Sequence, residues 1–374
     1  MRYMLIATAK DLQDICQAAK AAGSVALDTE FVWERTYHPQ LGLVQIALPD
    51  DRVFLVDTVA LPRLDGLDEV LADPDTELLL HDALQDLQIL ARHTGAKPRN
   101  VFDTRRAAGF TGRPASLSLG NLLRDALGID LAKDATRTNW LQRPLSASQI
   151  SYACDDVLHL HALAEKLRSD AAALGHEAAL REEMERFDDA AQYDTTSADT
   201  LYLRFRTTRL APETCKAVYA LLIWREEEAI AQNRPRGHII KDAMLLDIAS
   251  KSTATPPLQT DIPRRHAAAI HKTLREAQDL SPEDLPATLT PVRMTSALKK
   301  DIETRRERVQ QRATEAKIDP ALVANKAEIT ALVLHEHGMA NDYPEHLTSG
   351  WRQAFTAPTK NAPKSRELAF DFNL

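Results

Sequence analysis

The sequence predicts an α/β domain followed by two all-helical segments, and three observations carry that reading. Strand-like runs alternate with helix-like spacing over the first part of the chain. From about Leu117 onward the pattern is helical. Two stretches then divide the chain: a polar one at 188–199, and Ser281-Pro-Glu-Asp-Leu-Pro, marked by its prolines. At 374 residues the chain exceeds the usual size of one domain, and each segment is long enough to bury a core of its own. The expected domains are 1–195, 205–285 and 290–374.

Tyr3 to Ala7 reads as a strand, Thr8 can cap a helix running to about Ala22, and Val25 to Phe31 reads as the next strand. Leu43 to Ala47 and Val53 to Val56 are short β-rich runs on either side of a hairpin-like turn at Pro49-Asp50-Asp51. Leu78 to His81 fits a buried strand. Asp82 to Arg92 follows it with Leu84, Leu87 and Leu90 at helical spacing. Ser148 to Leu167 is helical, 188–199 reads as a linker, and Thr214 to Ala231 is an amphipathic helix rich in Glu and Arg. The third segment begins near Pro291, and Pro363 to Leu374 reads as a frayed tail.

Composition excludes several classes. Hydrophobic content of 44% and charged content of 27% are ordinary for a soluble globular protein. The opening Met-Arg-Tyr-Met-Leu-Ile-Ala has too short an apolar run for a secretory signal, and no stretch approaches the ~20 apolar residues that span a bilayer. A soluble, cytoplasmic protein without a membrane partner is expected, and a monomer. Cys16, Cys154 and Cys215 are far apart and form no C-x-x-C pair, which argues against a disulfide framework or a zinc site. The formal charge, 46 − 54 = −8, weighs against nucleic-acid binding, although carboxylates gathered on a metal inflate the acidic count and basic residues can still cluster locally.

Three acidic motifs stand out. In Leu27-Asp28-Thr29-Glu30-Phe31, strand geometry sends Asp28 and Glu30 to one face, where two carboxylates repel each other and resist burial unless a cation lies between them. A divalent cation is the natural partner, the alternative being a strand end with two solvated acids. In His81-Asp82-Ala83-Leu84-Gln85-Asp86-Leu87, Asp82 and Asp86 are four apart on one helical face, so either can supply a ligand. Asp82 also fits a helix-starting acid, and His81 a structural histidine. In Tyr152-Ala153-Cys154-Asp155-Asp156, Tyr152 and Asp156 share a stripe one turn apart, while Asp155 points about 100° away as a surface acid. Oxygen-only ligands of this kind suit magnesium or manganese.

Taken in this order, the three motifs resemble the DEDD exonuclease superfamily, and the tyrosine four residues before the last aspartate resembles its DEDDy branch. Around them the sequence is similar to the ribonuclease D family. The supporting strings are Leu-Asp-Thr-Glu-Phe at 27–31, Arg-Thr-Tyr-His-Pro-Gln-Leu-Gly-Leu-Val-Gln-Ile at 35–46, Phe-Asp-Thr at 102–104 and Thr-Asn-Trp-Leu-Gln-Arg-Pro-Leu at 138–145. Asn139 departs from the aspartate expected in the last string. The stretch from Thr208 to Leu280, with Trp224-Arg225-Glu226 and Arg234-Pro235, resembles an HRDC domain, and the last segment, with Gly350-Trp351-Arg352, is similar to a second HRDC-like domain.

The resemblance implies a ribonuclease H-like α/β exonuclease domain followed by two all-α HRDC-type domains. It selects Asp86 over Asp82 and Asp156 over Asp155. It also implies 3′→5′ hydrolysis of RNA, expected to be tRNA precursors with 3′ extensions, by two divalent ions, Mg2+ or Mn2+, about 3.5–4 Å apart. Asp28 would bridge both ions, Glu30 and Asp156 would complete one site, and Asp86 would hold the other. Tyr152 would orient the attacking water, and Phe31 is a candidate for stacking on the terminal base, its other role being core packing. The basic residues Arg204, Arg206, Arg209, Arg225, Arg234, Arg236, Lys299, Lys300, Arg305, Arg306, Arg308 and Arg312 would extend RNA affinity or simply form solvated helix faces. Two other readings compete: a DNA 3′→5′ exonuclease using the same carboxylates, and a non-catalytic RNA-binding adaptor.

Overall fold

A computed structural model describes residues 3–131, 138–194, 198–205, 210–254, 262–286, 294–340 and 343–357. Arg206, Arg209, Pro291 and the tail from Pro363 to Leu374 lie outside the described residues. The chain divides into two units, one of Met1–Val32, Leu41–Asp194 and Met294–Leu374, the other of Trp33–Gln40 and Thr195–Arg293.

The first unit is built on a sheet of β1 (Tyr3–Ile6), β2 (Ser24–Val32), β3 (Gln40–Ala47), β4 (Val53–Asp57), β5 (Glu77–Leu80) and β6 (Val101–Asp103). The strand order is β1-β4-β3-β2-β5-β6. The predicted hairpin is present: β3 and β4 are antiparallel, with Val44 opposite Val56, and Asp51 turns the corner at φ 63°. The pairs β1–β4, β2–β5 and β5–β6 are parallel, and β4, covered on both faces, is buried along its whole length instead of alternating. Strand β2, which carries the first motif, lies between β3 and β5 in the middle of this sheet.

Helices α1 (Ala9–Ala22), α2 (Leu67–Ala72), α3 (Leu84–Thr94), α4 (Thr104–Ala108), α5 (Leu119–Leu127), α6 (Ala147–Leu158), α7 (Leu160–Ala173) and α8 (Glu177–Glu185) complete the α/β part. Thr8 caps α1 as expected, its side chain accepting from the Asp11 N–H at 3.2 Å. The single helix expected over 148–167 is two, broken at His159. The stretch expected to be a linker at 188–199 is ordered up to Asp194. Tyr193 is buried there, its hydroxyl donating to Phe187 O at 2.6 Å, and Gln88 of α3 donates to Gln192 O at 2.7 Å.

One contact joins two of the quoted strings. Arg143 grips Asp57 with two bonds of 2.7 Å and donates to Gly42 O at 2.6 Å, so the 138–145 loop lies flat on the β3–β4 hairpin. Gly42 is needed for that approach, because a Cβ there would meet Trp140 O at 2.5 Å.

The second unit centres on α10 (Pro212–Ala231), packed by α9 (Ala198–Arg204), α11 (Arg236–Ile239), α12 (Asp242–Ser252) and α13 (Ala267–Glu276) around Tyr202, Leu221, Leu222, Leu245, Ile248 and Ile270. Tyr37 packs on this core and hydrogen-bonds to Glu226 and Arg236, so the Arg35–His38 part of its string belongs to this unit. The last helices, α14 (Ser296–Glu315), α15 (Pro320–Val323), α16 (Lys326–Glu336) and α17 (Gln353–Thr356), belong to the first unit, with Trp351 seated edge-on against Phe110 at 5.0 Å. Among the described residues, no helix is long and apolar enough to cross a membrane.

Gly42→Ala is expected to cost about 1–3 kcal/mol, the usual penalty for overpacking. The check is a lower urea midpoint with an unchanged slope.

Candidate active site

The geometry begins on β2. Asp28 and Glu30 project toward α6, which crosses β2 and β4. The start of α6 is fixed by a capping box: the Ser146 side chain accepts from Gln149 N at 3.2 Å, and Gln149 Oε1 accepts from Ser146 N at 2.9 Å. With its start pinned, the helix places Asp156 so that one carboxylate oxygen each from Asp28, Glu30 and Asp156 lie within 4.8 Å of one another. Tyr152, one turn earlier, hydrogen-bonds to Asp156, and its ring lies 6.1 Å from buried Trp140 of the 138–145 loop.

Asp86 stands outside that three-carboxylate group. It sits in the first turn of α3 and accepts a hydrogen bond from the hydroxyl of Thr29, the residue between Asp28 and Glu30. All four carboxylates have pKa values above the ordinary range. Burial is the largest cause for each, and the charges of the others add to it for Asp28, Glu30 and Asp156. Glu30 is pushed up to about 8. Tyr152 is also raised, by burial and then by the charge of Asp156, so its phenol keeps its proton at neutral pH.

Several neighbours differ from the sequence reading. The helix expected from Asp82 begins at Leu84. Asp82 has φ 64° and turns its carboxylate to Arg105, so it is not one helical turn from Asp86 on a shared face. The reason is Asp103, buried 21 residues away, whose carboxylate accepts from the N–H groups of Asp82 and Ala83, both at 3.1 Å. His81 is structural: its Nδ1 lies 3.0 Å from Thr104 Oγ1 and its Nε2 donates to Leu117 O at 3.1 Å. Asn139 closes its own turn by accepting from Leu141 N at 3.1 Å. Phe31 is half-buried. Asp103 and Arg143 both make structural contacts, Asp103 with the Asp82 and Ala83 N–H groups and Arg143 with Asp57. The capping box had a visible signal in Ser146-x-x-Gln149.

The basic residues divide. Arg225 is bound to Asp242 and Ile240 O, Arg236 to Glu226, Arg305 to Glu336 and Thr356 O, and Arg312 to main-chain carbonyls. Arg204, Arg234, Lys299 and Lys300 are exposed.

A cluster of partly buried carboxylates, two on an inner strand of a mixed sheet of the ribonuclease H type and two on helices α3 and α6 beside it, is the arrangement of a 3′→5′ exonuclease domain. Residues 3–172 match the 3′-5′ exonuclease family and residues 216–256 the HRDC domain. The chain belongs to the ribonuclease D family of hydrolytic 3′→5′ exoribonucleases. It is 36% identical to ribonuclease D of Desulfotalea psychrophila over 94% of this chain and 96% of the relative, and 29% identical to ribonuclease D of Escherichia coli over 94% and 96%. Its structure matches the crystal structure of Escherichia coli RNase D, an exoribonuclease involved in structured RNA processing, with a TM-score of 0.84 and 26% identity, covering 96% of this chain and 97% of that one.

The raised carboxylates make a test of their own. Each keeps a proton in the folded state at a pH where the unfolded chain, with carboxyl pKa values near ~4, has lost it. The folded state then binds more protons, and metal-free stability falls as pH rises from that range through the folded values, up to about 8 for Glu30. Asp57 and Glu183, held below the ordinary range, titrate beneath this window. In EDTA the melting temperature is expected to drop between about pH 7 and 8.5, above the range in which the lowered histidines His81, His161, His266 and His346 add stability with rising pH, and Glu30→Gln to flatten the drop. A slope unchanged by that substitution would contradict the assignment.

Proposed function

We propose that Asp28, Glu30, Asp86 and Asp156 hold two divalent cations, Mg2+ or Mn2+, and that the site hydrolyses 3′-terminal phosphodiesters of RNA one at a time, releasing nucleoside 5′-monophosphates. The observation that carries this is the meeting of Asp28, Glu30 and Asp156 oxygens within 4.8 Å, with Asp86 one residue removed through Thr29. Buried carboxylates that raise one another's pKa are a poor resting state for a protein and a fitting set of hard oxygen donors for such ions. Asp28, Glu30 and Asp156, whose oxygens converge, would hold the cations together with Asp86. Bound there, the cations supply Lewis-acid charge at the phosphate and lower the pKa of a water.

The chain's own groups do the rest. Tyr152 stays protonated, so it orients the nucleophilic water as a hydrogen-bond partner and is not the base that takes its proton. Trp140 backs its ring. Phe31, half-buried after Glu30, is the candidate platform for the terminal base. The HRDC segment, assigned to 205–285, adds RNA affinity through exposed cations such as Arg234, with Arg204 exposed just before it. The helices of 290–374 adjoin the nuclease at 1–195 and offer Lys299 and Lys300. The substrates best suited to these parts are tRNA precursors with 3′ extensions, acted on by a monomer in the cytoplasm.

Digestion of a 3′-extended tRNA, resolved at single-nucleotide steps, tests the reading. Stepwise shortening that requires Mg2+ or Mn2+ and stops in EDTA is expected, with Asp28→Asn slower by about 10³-fold, the order seen when one charge-stabilising group is removed from a site. RNA that is bound but never shortened would overturn it, and equal rates on single-stranded DNA of the same length would point to the DNA enzyme. Tyr152→Phe is expected to lower kcat by about 10²-fold, within the range for a proton-handling group. Its cation requirement should stay unchanged, read from rate against Mn2+ concentration.

A further inference from the structure

Behind the site lies a second buried acid that the reaction does not use. Glu183, in α8, has a side chain only 1% exposed. It accepts from Arg106 Nε at 2.7 Å, Arg352 Nη2 at 2.6 Å, Arg186 Nη1 at 3.2 Å and Trp351 Nε1 at 3.3 Å. Arg106 comes from α4, while Trp351 and Arg352 come from the C-terminal segment. Gly350, at φ 55°, turns that segment so that Trp351 N donates to Glu182 at 3.0 Å.

From Arg106 the contacts run on toward the cation-binding carboxylates. The N-cap of α4 is Asp103, whose Oδ1 accepts from Arg105 N at 2.8 Å and Arg106 N at 3.3 Å. The same carboxylate holds Asp82 N and Ala83 N. Ala83 is the N-cap of α3 and has no side chain able to cap it, so Asp103 caps that helix from outside. Asp86 lies in the first turn that follows. A second tie comes from α8, where Met184 Sδ accepts from Asp103 N at 3.3 Å. The key ties are long-range: Glu183 and Arg106 are 77 positions apart, and Arg352 is 169 from Glu183.

We propose that Glu183, with Trp351 and Arg352 of the C-terminal segment, is a positioning centre for Asp86, transmitting its hold through Arg106 and Asp103 to the start of α3. The inference rests on the reading of Asp86 as a cation ligand. It gives the Gly350-Trp351-Arg352 string a task in catalysis that needs no contact with RNA. The physical reason is that a ligand carboxylate works only where its own supports hold it, and second-layer contacts typically change metal affinity by about 10–100-fold.

The experiment uses the full chain and measures Mn2+ binding by calorimetry without RNA, beside thermal melts and the Mn2+ concentration for half-maximal cleavage. Glu183→Gln is expected to weaken one Mn2+ site at least about 10-fold and leave the other unchanged, with kcat recovering toward wild type at high Mn2+. Leu332→Ala, a buried apolar truncation in α16, supplies comparable destabilisation away from this cluster and should leave both affinities unchanged. If Glu183→Gln lowers the melting temperature but neither affinity, Glu183 is a structural clasp and the proposal is overturned. Should Glu183→Gln not fold, Arg352→Lys, which keeps the charge but loses the planar fork, decides on the same readouts. Asp86→Asn separates the two readings: if it removes no Mn2+ site, the ligand assignment has failed, whatever Glu183 does.

Discussion

The mutual repulsion of buried carboxylates around β2 is the constraint on which the rest of the first unit depends. Asp28, Glu30, Asp86 and Asp156 are partly buried on a scaffold that must hold them against both desolvation and one another. Folding free energy alone would not choose this arrangement, since a well-packed apolar strand in the same place would be more stable. A chain that retains it must gather the rigidity from elsewhere. That explains why each carboxylate enters from a firmly anchored start: a middle strand for Asp28 and Glu30, a capping box for Asp156, and an external cap for Asp86.

These anchors share a feature. Apart from the local Ser146–Gln149 capping box, they rest on contacts between segments remote in sequence, laid on a core of ordinary apolar packing. The Arg143–Asp57 pair presses the 138–145 loop onto the β3–β4 hairpin and thereby sets Trp140 behind Tyr152. Thr29 uses its position between two carboxylates to tether the third. Such contacts contribute modestly to global stability, about 0.5–3 kcal/mol each, but they fix position to a fraction of an ångström, which is what a cation site requires.

Legibility in the sequence follows the same division. The strands over 3–7, 25–31, 43–47, 53–56 and 78–81 and the cap at Thr8 were readable because they depend on local pattern and apolar runs. The pairing of Asp28 with Glu30, and of Tyr152 with Asp156, needed only strand and helix periodicity. What periodicity could not reveal was the start of α3, because a left-handed Asp82 answers to Asp103 and not to its neighbours. Likewise the 188–194 stretch looks like a linker by composition, and only the burial of Tyr193 and its bond to Phe187 make it part of the unit. The division between the solvated and the internal arginines was equally hidden, since Arg225 and Arg305 differ from Arg204 only in what folds over them.

That hidden division bears on how a chain of net charge −8 takes a polyanion as substrate. Arginines already paired with Asp242, Glu226 and Glu336 neutralise their own partners and leave little field for phosphate. Without cations, the carboxylate cluster adds repulsion at the very place where the 3′ end must arrive. In the proposed two-ion site, four positive charges would bring −8 to −4 and offset the four carboxylates. Cation and RNA binding at such a site would be coupled, and by thermodynamic linkage each would strengthen the other by the same factor. On that proposal, the acidity of the chain, which at first counts against a nucleic-acid enzyme, would favour substrate at a site already loaded with cations.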